Sequence, residues 1–149
     1  MSPTPSKILV STDFSKPSEH ALDYAIGLAQ KLSAEVIVLH AYELPMVGFP
    51  DGTLLATAEV ANQIITSAQT LLDKAVGARK DSGVKITPLL RNGDPRDEIL
   101  ATVKRVGADL IVMGTHGRRG LARALMGSVA EAVVRTAECP VLTVRSADH

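Results

Sequence analysis

The sequence predicts an α/β protein: an open parallel β-sheet with helices on both faces. Short runs of β-branched and aliphatic residues alternate with longer stretches whose apolar residues recur at helical spacing, in the order β-α-β-α-β-α-β-α-β. Such alternation joins parallel strands through crossover helices. One strand run, Ala108 to Met113, is almost solidly apolar, as a strand covered on both faces must be. With 149 residues, 46% apolar and 21% charged, the chain reads as one globular domain, residues 1–149. A chain of this size can bury a core without staples. No internal repeat or linker interrupts it.

Each element has its own signal. Lys7 to Ser11 is a short β-branched-rich run, the first strand. Thr12-Asp13-Phe14-Ser15 then turns into a helix, where Pro17 suits the first turn because its missing N–H costs nothing there. Leu22, Ala25, Ile26, Ala29 and Leu32 recur at helical spacing. Glu35 to Tyr42 is the second strand. Glu43 to Ala56 carries Pro45, Gly48, Pro50 and Asp51-Gly52, and is expected to be an irregular loop, either functional or a plain surface excursion. From Thr57 to Ser82 the pattern is helical, with Ala61, Ile64, Ile65, Ala68, Leu71, Leu72 and Ala75 on one stripe. Val84 to Arg91 is the third strand, and Pro88 within it argues for a sheet edge, since proline cannot donate to a ladder. Asp94-Pro95 opens the third helix as N-cap and first-turn proline. Ile99, Leu100, Val103 and Val106 form its buried face, and Gly107 ends it. Ala108 to Met113 is the fourth strand. Ser128-Val-Ala-Glu131 has the spacing of a capping box and starts the last helix, continued by Val133, Val134 and Ala137. Pro140 to Val144 is the fifth strand, its proline again suggesting an edge.

Composition removes several classes of function. Aromatic residues are 3% and Trp is absent, which weakens base stacking on aromatic platforms. Lys+Arg and Asp+Glu balance at 16 each, so nothing attracts nucleic acid or an anionic membrane in general. The one cysteine, Cys139, cannot close an internal disulfide, which fits a reducing compartment. Met1 to Ser6 lacks the charged start and apolar core of a secretory signal, and no apolar run approaches membrane-spanning length. The expectation is a soluble cytoplasmic protein with neither nucleic acid nor membrane as partner.

The chemistry concentrates in Gly114-Thr-His-Gly117, then nine residues, then Gly127-Ser128. Strand, glycine-rich loop and helix N-terminus form the arrangement that cradles a phosphate: glycine lets the backbone approach an anion, and the first helical N–H groups face it. Thr12 and Asp13 follow the first strand, and His40, Ala41 and Tyr42 end the second. In open parallel sheets ligands bind beyond the carboxyl ends of the strands, where strand order reverses. If strands one and four are neighbours, Asp13 and the glycine loop face one crevice.

Plainer readings stand beside these. Asp13 suits a turn, the glycines suit tight turns, and Ser128 suits an N-cap with no ligand. Arg118, Arg119 and Arg123 are either phosphate partners or solvated. His116 is either a phosphate contact or an exposed loop residue. His20 and His40 read as structural, and Cys139 as inert packing. The absences are informative. There is no Walker-type Gly-x-x-x-x-Gly-Lys, no Gly-x-Gly-x-x-Gly after the first strand, no nucleophile elbow and no zinc spacing. Phosphoryl transfer needs a metal clamp and a positioned nucleophile, and Asp13 is the one evident metal-facing candidate, so binding without fast turnover is expected.

Gly114-x2-Gly117-x9-Gly127-Ser128 resembles the ATP-binding signature of the universal stress protein family. The likeness extends over nearly the whole chain, through Ile8 to Ser15, His40, Asn92-Gly93-Asp94-Pro95, Asp109 to Gly117, and Cys139 to Arg145. It implies a Rossmann-like five-stranded parallel sheet of order 3-2-1-4-5, in agreement with the two edge assignments. It implies a site for ATP, ADP or AMP. There Asp13 contacts the ribose or a phosphate-bound divalent ion such as Mg or Mn, beside Thr12. The Ala41 backbone meets adenine. Met113, Gly114, Gly117, Gly127, Ser128 and Val129 surround the ribose and phosphates, with His116 and Arg118 adjoining. It further implies a homodimer formed through Val141 to Val144. The function expected is a nucleotide-sensing module of the stress response, with a slow metal-dependent ATPase or adenylate-handling enzyme, or a ligand-free interaction module, as alternatives.

Overall fold

The computed structural model describes residues 4–45, 47, 48, 50, 54, 55, 57–116 and 126–145. Five parallel strands form the main sheet: β1 (Lys7–Ser11), β2 (Glu35–Tyr42), β3 (Ile86–Asn92), β4 (Leu110–Gly114) and β5 (Val141–Val144). Their order is β3-β2-β1-β4-β5, the 3-2-1-4-5 arrangement. The helices are α1 (Lys16–Leu32), α2 (Ala58–Gly77), α3 (Pro95–Val106) and α4 (Ser128–Thr136). Among the described residues, no helix is long and apolar enough to cross a membrane.

Side-chain alternation along the strands sorts the core into two layers. Ile8, Val10, Val36, Val38 and Val112 meet Leu22 and Ala25 of α1 and Leu72 of α2 on one face. Leu9, Ile37, Leu39 and Ile111 meet Ile99 of α3 and Val133 of α4 on the other. Each fully buried Leu, Ile or Val contributes roughly 1.5–3 kcal/mol relative to exposure. Because α1 and α2 share one face and α3 and α4 the opposite one, the connections reverse direction between β1 and β4. Those strands are direct neighbours, with Ile8 aligned on Leu110 and Val10 on Val112.

Both expected edges are edges. Pro88 tolerates its strand for a geometric reason. The Lys85 carbonyl and the Gly93 N–H bond to β2 at 2.9 Å and 2.8 Å, so odd-numbered positions of β3 face β2 and Pro88 turns its missing donor outward. The helix starts also follow the sequence: Asp94 caps α3 at the Arg96 N–H, and Gly107 ends it at φ 73.

Several boundaries differ from expectation. The third strand begins at Ile86 rather than Val84, and the fourth at Leu110 rather than Ala108. Asp109 stays outside the strand because its carboxylate accepts the backbone N–H groups of Ser6 at 3.1 Å and Lys7 at 3.0 Å. The second helix stops at Gly77, and Lys80–Ser82 form a separate 3-10 turn. Arg79 lies between them and reaches Glu19 and Asp23 of α1, both at 2.7 Å. The loop expected over Glu43 to Ala56 is not wholly irregular, since Val47–Gly48 pairs antiparallel with Leu54–Leu55.

Candidate functional site

The β1–α1 junction is a tight hydrogen-bonded knot. The Thr12 N–H donates to the Leu39 carbonyl at 2.9 Å, and its hydroxyl accepts the Phe14 N–H at 3.0 Å. The Asp13 carboxylate accepts from the Ser15 N–H and the Ser18 hydroxyl, each at 3.0 Å, and from the Ser15 hydroxyl. Asp13 therefore does serve the turn, and it does so at the mouth of the crevice. Phe14 takes φ 66, a left-handed conformation uncommon for a bulky residue and typical of strained functional loops. Its ring packs on the His40 imidazole with centroids 4.4 Å apart. His40 Nδ1 lies 2.8 Å from the Thr12 carbonyl; a carbonyl only accepts, so Nδ1 carries the hydrogen.

Backbone parity gives Ala41 a particular aspect. The Glu35 N–H bonds to Ser6 of the β1 side and the Leu39 carbonyl to Thr12, whereas the Val36 N–H and the Tyr42 carbonyl bond to the β3 side. Odd-numbered positions of β2 thus face β1. β1 ends at Ser11, paired with Leu39, so the N–H and C=O of Ala41 point past the end of β1 toward Asp13.

On the other side of β1, Gly114 closes β4 against the start of α1. The Thr115 N–H donates to the Val144 carbonyl at 3.3 Å, and the Gly127 N–H to the Thr115 carbonyl at 2.6 Å, which ties together the two ends of the glycine loop. His116 Nδ1 lies 3.2 Å from the Thr115 hydroxyl. Gly117, Arg118, Arg119 and Arg123 lie outside the described residues. Met113 is 4% exposed and its side chain belongs to the core, so only its backbone is available at the carboxyl end of β4.

The helix start that follows departs from the capping-box reading. Gly127, at φ −64 and ψ 159, is the N-cap, and among the described residues no side chain caps α4. Its bond to Thr115 fixes Gly127 as the last extended residue, so Ser128 becomes the first helical residue. Glu131 pairs with Arg135 at 2.7 Å rather than reaching back. By contrast α1, α2 and α3 are capped by Ser15, Thr57 and Asp94. Among the described residues the α4 start is thus the one without a side-chain cap, with Ser128 exposed and Val129 half-buried, and it opens where strand order reverses.

A cleft of about 420 Å³ adjoins Asp13 and is lined by Phe14, His40 and Tyr42 together with Gln63 and Ser67 of α2. The α2 wall escaped the sequence reading because Ile64, Ala68 and Leu71 register as an ordinary core stripe. Among the described residues, no group of three or more His, Cys, Asp or Glu is placed to hold a metal. Cys139 is half-buried, and burial with nearby Asp109 pushes its thiol pKa up, which leaves it a poor nucleophile.

The sequence matches the universal stress protein family over residues 5–145. It is 39% identical over 141 residues to universal stress protein MJ0531 of Methanocaldococcus jannaschii, covering 93% of this chain and 81% of that one. It is 34% identical to universal stress protein YxiE of Bacillus subtilis, covering 94% and 99%. Among solved structures, protein MJ0577 superimposes with TM-score 0.81 at 27% identity, over 98% of this chain and 99% of that one. A universal stress protein in complex with cAMP gives 0.71 at 28% identity over 95% and 98%. An Arabidopsis thaliana family protein with AMP bound gives 0.66 at 25% identity over 97% and 95%.

Proposed function

The chain belongs to the universal stress protein family, and on that premise we propose that it binds an adenine nucleotide, with ATP as the principal ligand, and acts as a nucleotide-sensing module. The observation that carries this reading is the bare N-terminus of α4. Among the described residues, three helices have a side chain that caps a first-turn N–H and α4 does not. Unsatisfied N–H groups at the positive end of a helix favour an anion. In this reading the backbones of Gly114 and Gly127, the N–H groups of Ser128 and Val129, and the loop residues His116, Gly117 and Arg118 hold the phosphates. Asp13, beside Thr12, holds the ribose or a divalent ion bound to the phosphates, and the Met113 backbone borders the sugar. The backbone of Ala41 presents one donor and one acceptor to the edge of adenine. The cAMP and AMP complexes of similar proteins support the adenine assignment.

Among the described residues, the Asp13 carboxylate is already engaged by Ser15 and Ser18, and in this reading the module reports nucleotide rather than consuming it quickly. Among the described residues the edge strand β5 pairs only with β4, and a second copy joined along its free edge would carry the nucleotide state into an assembly.

Titration of ATP, ADP and AMP into nucleotide-stripped protein tests the reading. Saturation below millimolar ATP is expected, and no binding at millimolar ATP overturns it.

A further inference from the structure

We infer that Pro88 closes the β3 edge of the sheet to strand addition and so limits how copies of this chain can join. Among the described residues the outer strand β3 pairs with β2 alone, and the outer strand β5 with β4 alone. An outer strand presents unpaired N–H and C=O groups, a template for a strand of another chain. The two edges differ in what they present. On β3 the even-numbered positions face away from β2, because the Lys85 carbonyl and the Gly93 N–H bond to the β2 side. The outward series is therefore Ile86, Pro88, Leu90 and Asn92, and Pro88 breaks it. It offers no N–H, and its ring fills the place where a carbonyl of an added strand would dock. On β5 the Pro140 and Val144 carbonyls accept from the Ile111 and Thr115 N–H groups of the β4 side. Val141 and Thr143 thus turn outward with both N–H groups intact. The β3 edge also carries the greater hazard. Ile86 to Leu90 holds no charged residue and is half-buried throughout. Apart from Pro88, which stands at its centre, this is the composition that self-associates when a strand is left unpaired. A second copy joined along β5, as proposed above, makes a closed pair, whereas a second open edge would let each pair add further copies without closure.

The test compares wild type, Pro88→Ala and Pro88→Val by light scattering across the micromolar to millimolar range, with amide hydrogen exchange as the map of the contact. Both substitutions return the outward N–H, and Val adds β-branching. Circular dichroism and thermal unfolding check the fold, and Pro88→Ala, the smaller change, decides if Val disturbs it. At the upper end of the range each variant should reach about twofold or greater average mass relative to wild type, since one junction between β3 strands joins two wild-type units whatever their size. Exchange at the Leu90 and Asn92 amides should slow as the mass rises. In wild type those amides should exchange fast at every concentration. Folded variants with the mass of wild type overturn the inference. Growth in mass without slower exchange at Leu90 also overturns it, because assembly then uses another surface. So does wild-type protection at Leu90 that rises with concentration, because the edge is then already paired.

Discussion

Gly114 and Pro17 meet across the boundary between β4 and α1: a Cβ on Gly114 would lie 3.1 Å from the Pro17 carbonyl oxygen and 3.2 Å from its carbonyl carbon. The glycine that resembles a phosphate-loop residue therefore has a packing duty as well. It lets the first turn of α1, and with it Asp13, sit against the end of β4.

Replacement of Gly114 by Ala should destabilise the protein by about 1–3 kcal/mol, because a rigid backbone rather than a flexible side chain must yield. Gly27→Ala is the counterpart. It sits within α1 with nothing inside 4 Å of the added methyl, and should stabilise by about 0.5–1 kcal/mol through helix propensity. Denaturant unfolding of both variants checks this; equal effects would contradict the contact.

Ser128→Glu separates helix stability from ligand binding. An acidic residue in the first turn favours the helix by about 0.3–1 kcal/mol, and Ser128 is exposed, so the side chain has room. The same charge repels phosphates. Thermal stability should hold or rise while ATP affinity drops at least tenfold. If affinity is retained, the phosphates do not meet the start of α4.

Asp109 anchors the start of β1 through the N–H groups of Ser6 and Lys7. Burial alone would raise its pKa, but those hydrogen bonds outweigh burial and hold it below the usual value. A lowered folded pKa means that the stabilisation is present above the unfolded value and is lost as pH falls through the folded one. Asp94, held at about 2 chiefly by the Arg96 side chain, acts in the same direction. Stability should therefore decline below about pH 4. Asp109→Asn should cost about 1.5–3 kcal/mol at pH 7 and flatten that decline, as read from urea unfolding between pH 7 and pH 2.

Arg79 fastens the end of α2 to α1 through Glu19 and Asp23, with its side chain 14% exposed, and also donates to the Ala75 carbonyl. Its removal leaves two partners that solvent still reaches, so Arg79→Ala should cost a modest amount, about 1–2 kcal/mol. The deficit relative to wild type should shrink in 1 M salt, where the ion pairs of the wild type are screened. A salt-independent deficit would assign the role to the Ala75 bond alone.

Periodicity made the sheet legible because strands buried on both faces must be apolar and crossover helices must be amphipathic. Pro88 marked one edge, since its missing donor faces away from β2, whereas Pro140, whose carbonyl accepts from the Ile111 N–H, faces β4 and is tolerated because it precedes the first strand residue. Other features depend on contacts distant in sequence. Ser128 read as a cap because nothing local reveals that Thr115 holds Gly127 extended. The packing duty of Gly114 needs Pro17, distant in sequence on another element. Gln63 and Ser67 lie on a helix whose stripe serves the core along most of its length and a cleft near its start, and periodicity does not separate the two. The turn role of Asp13 and its place at the crevice were both legible, as alternative readings of one residue.

The short bond from the Gly127 N–H to the Thr115 carbonyl makes the two ends of the glycine segment a closed gate-post pair. Whatever length of chain runs between them, β4 and α4 keep their spacing, because the join is made at the base and loop-closure entropy grows only slowly with length. That turns the segment into an interchangeable cassette. On the proposed nucleotide-binding reading, longer, shorter or differently charged inserts exchanged there would retune which anion is held, with the scaffold left as it is.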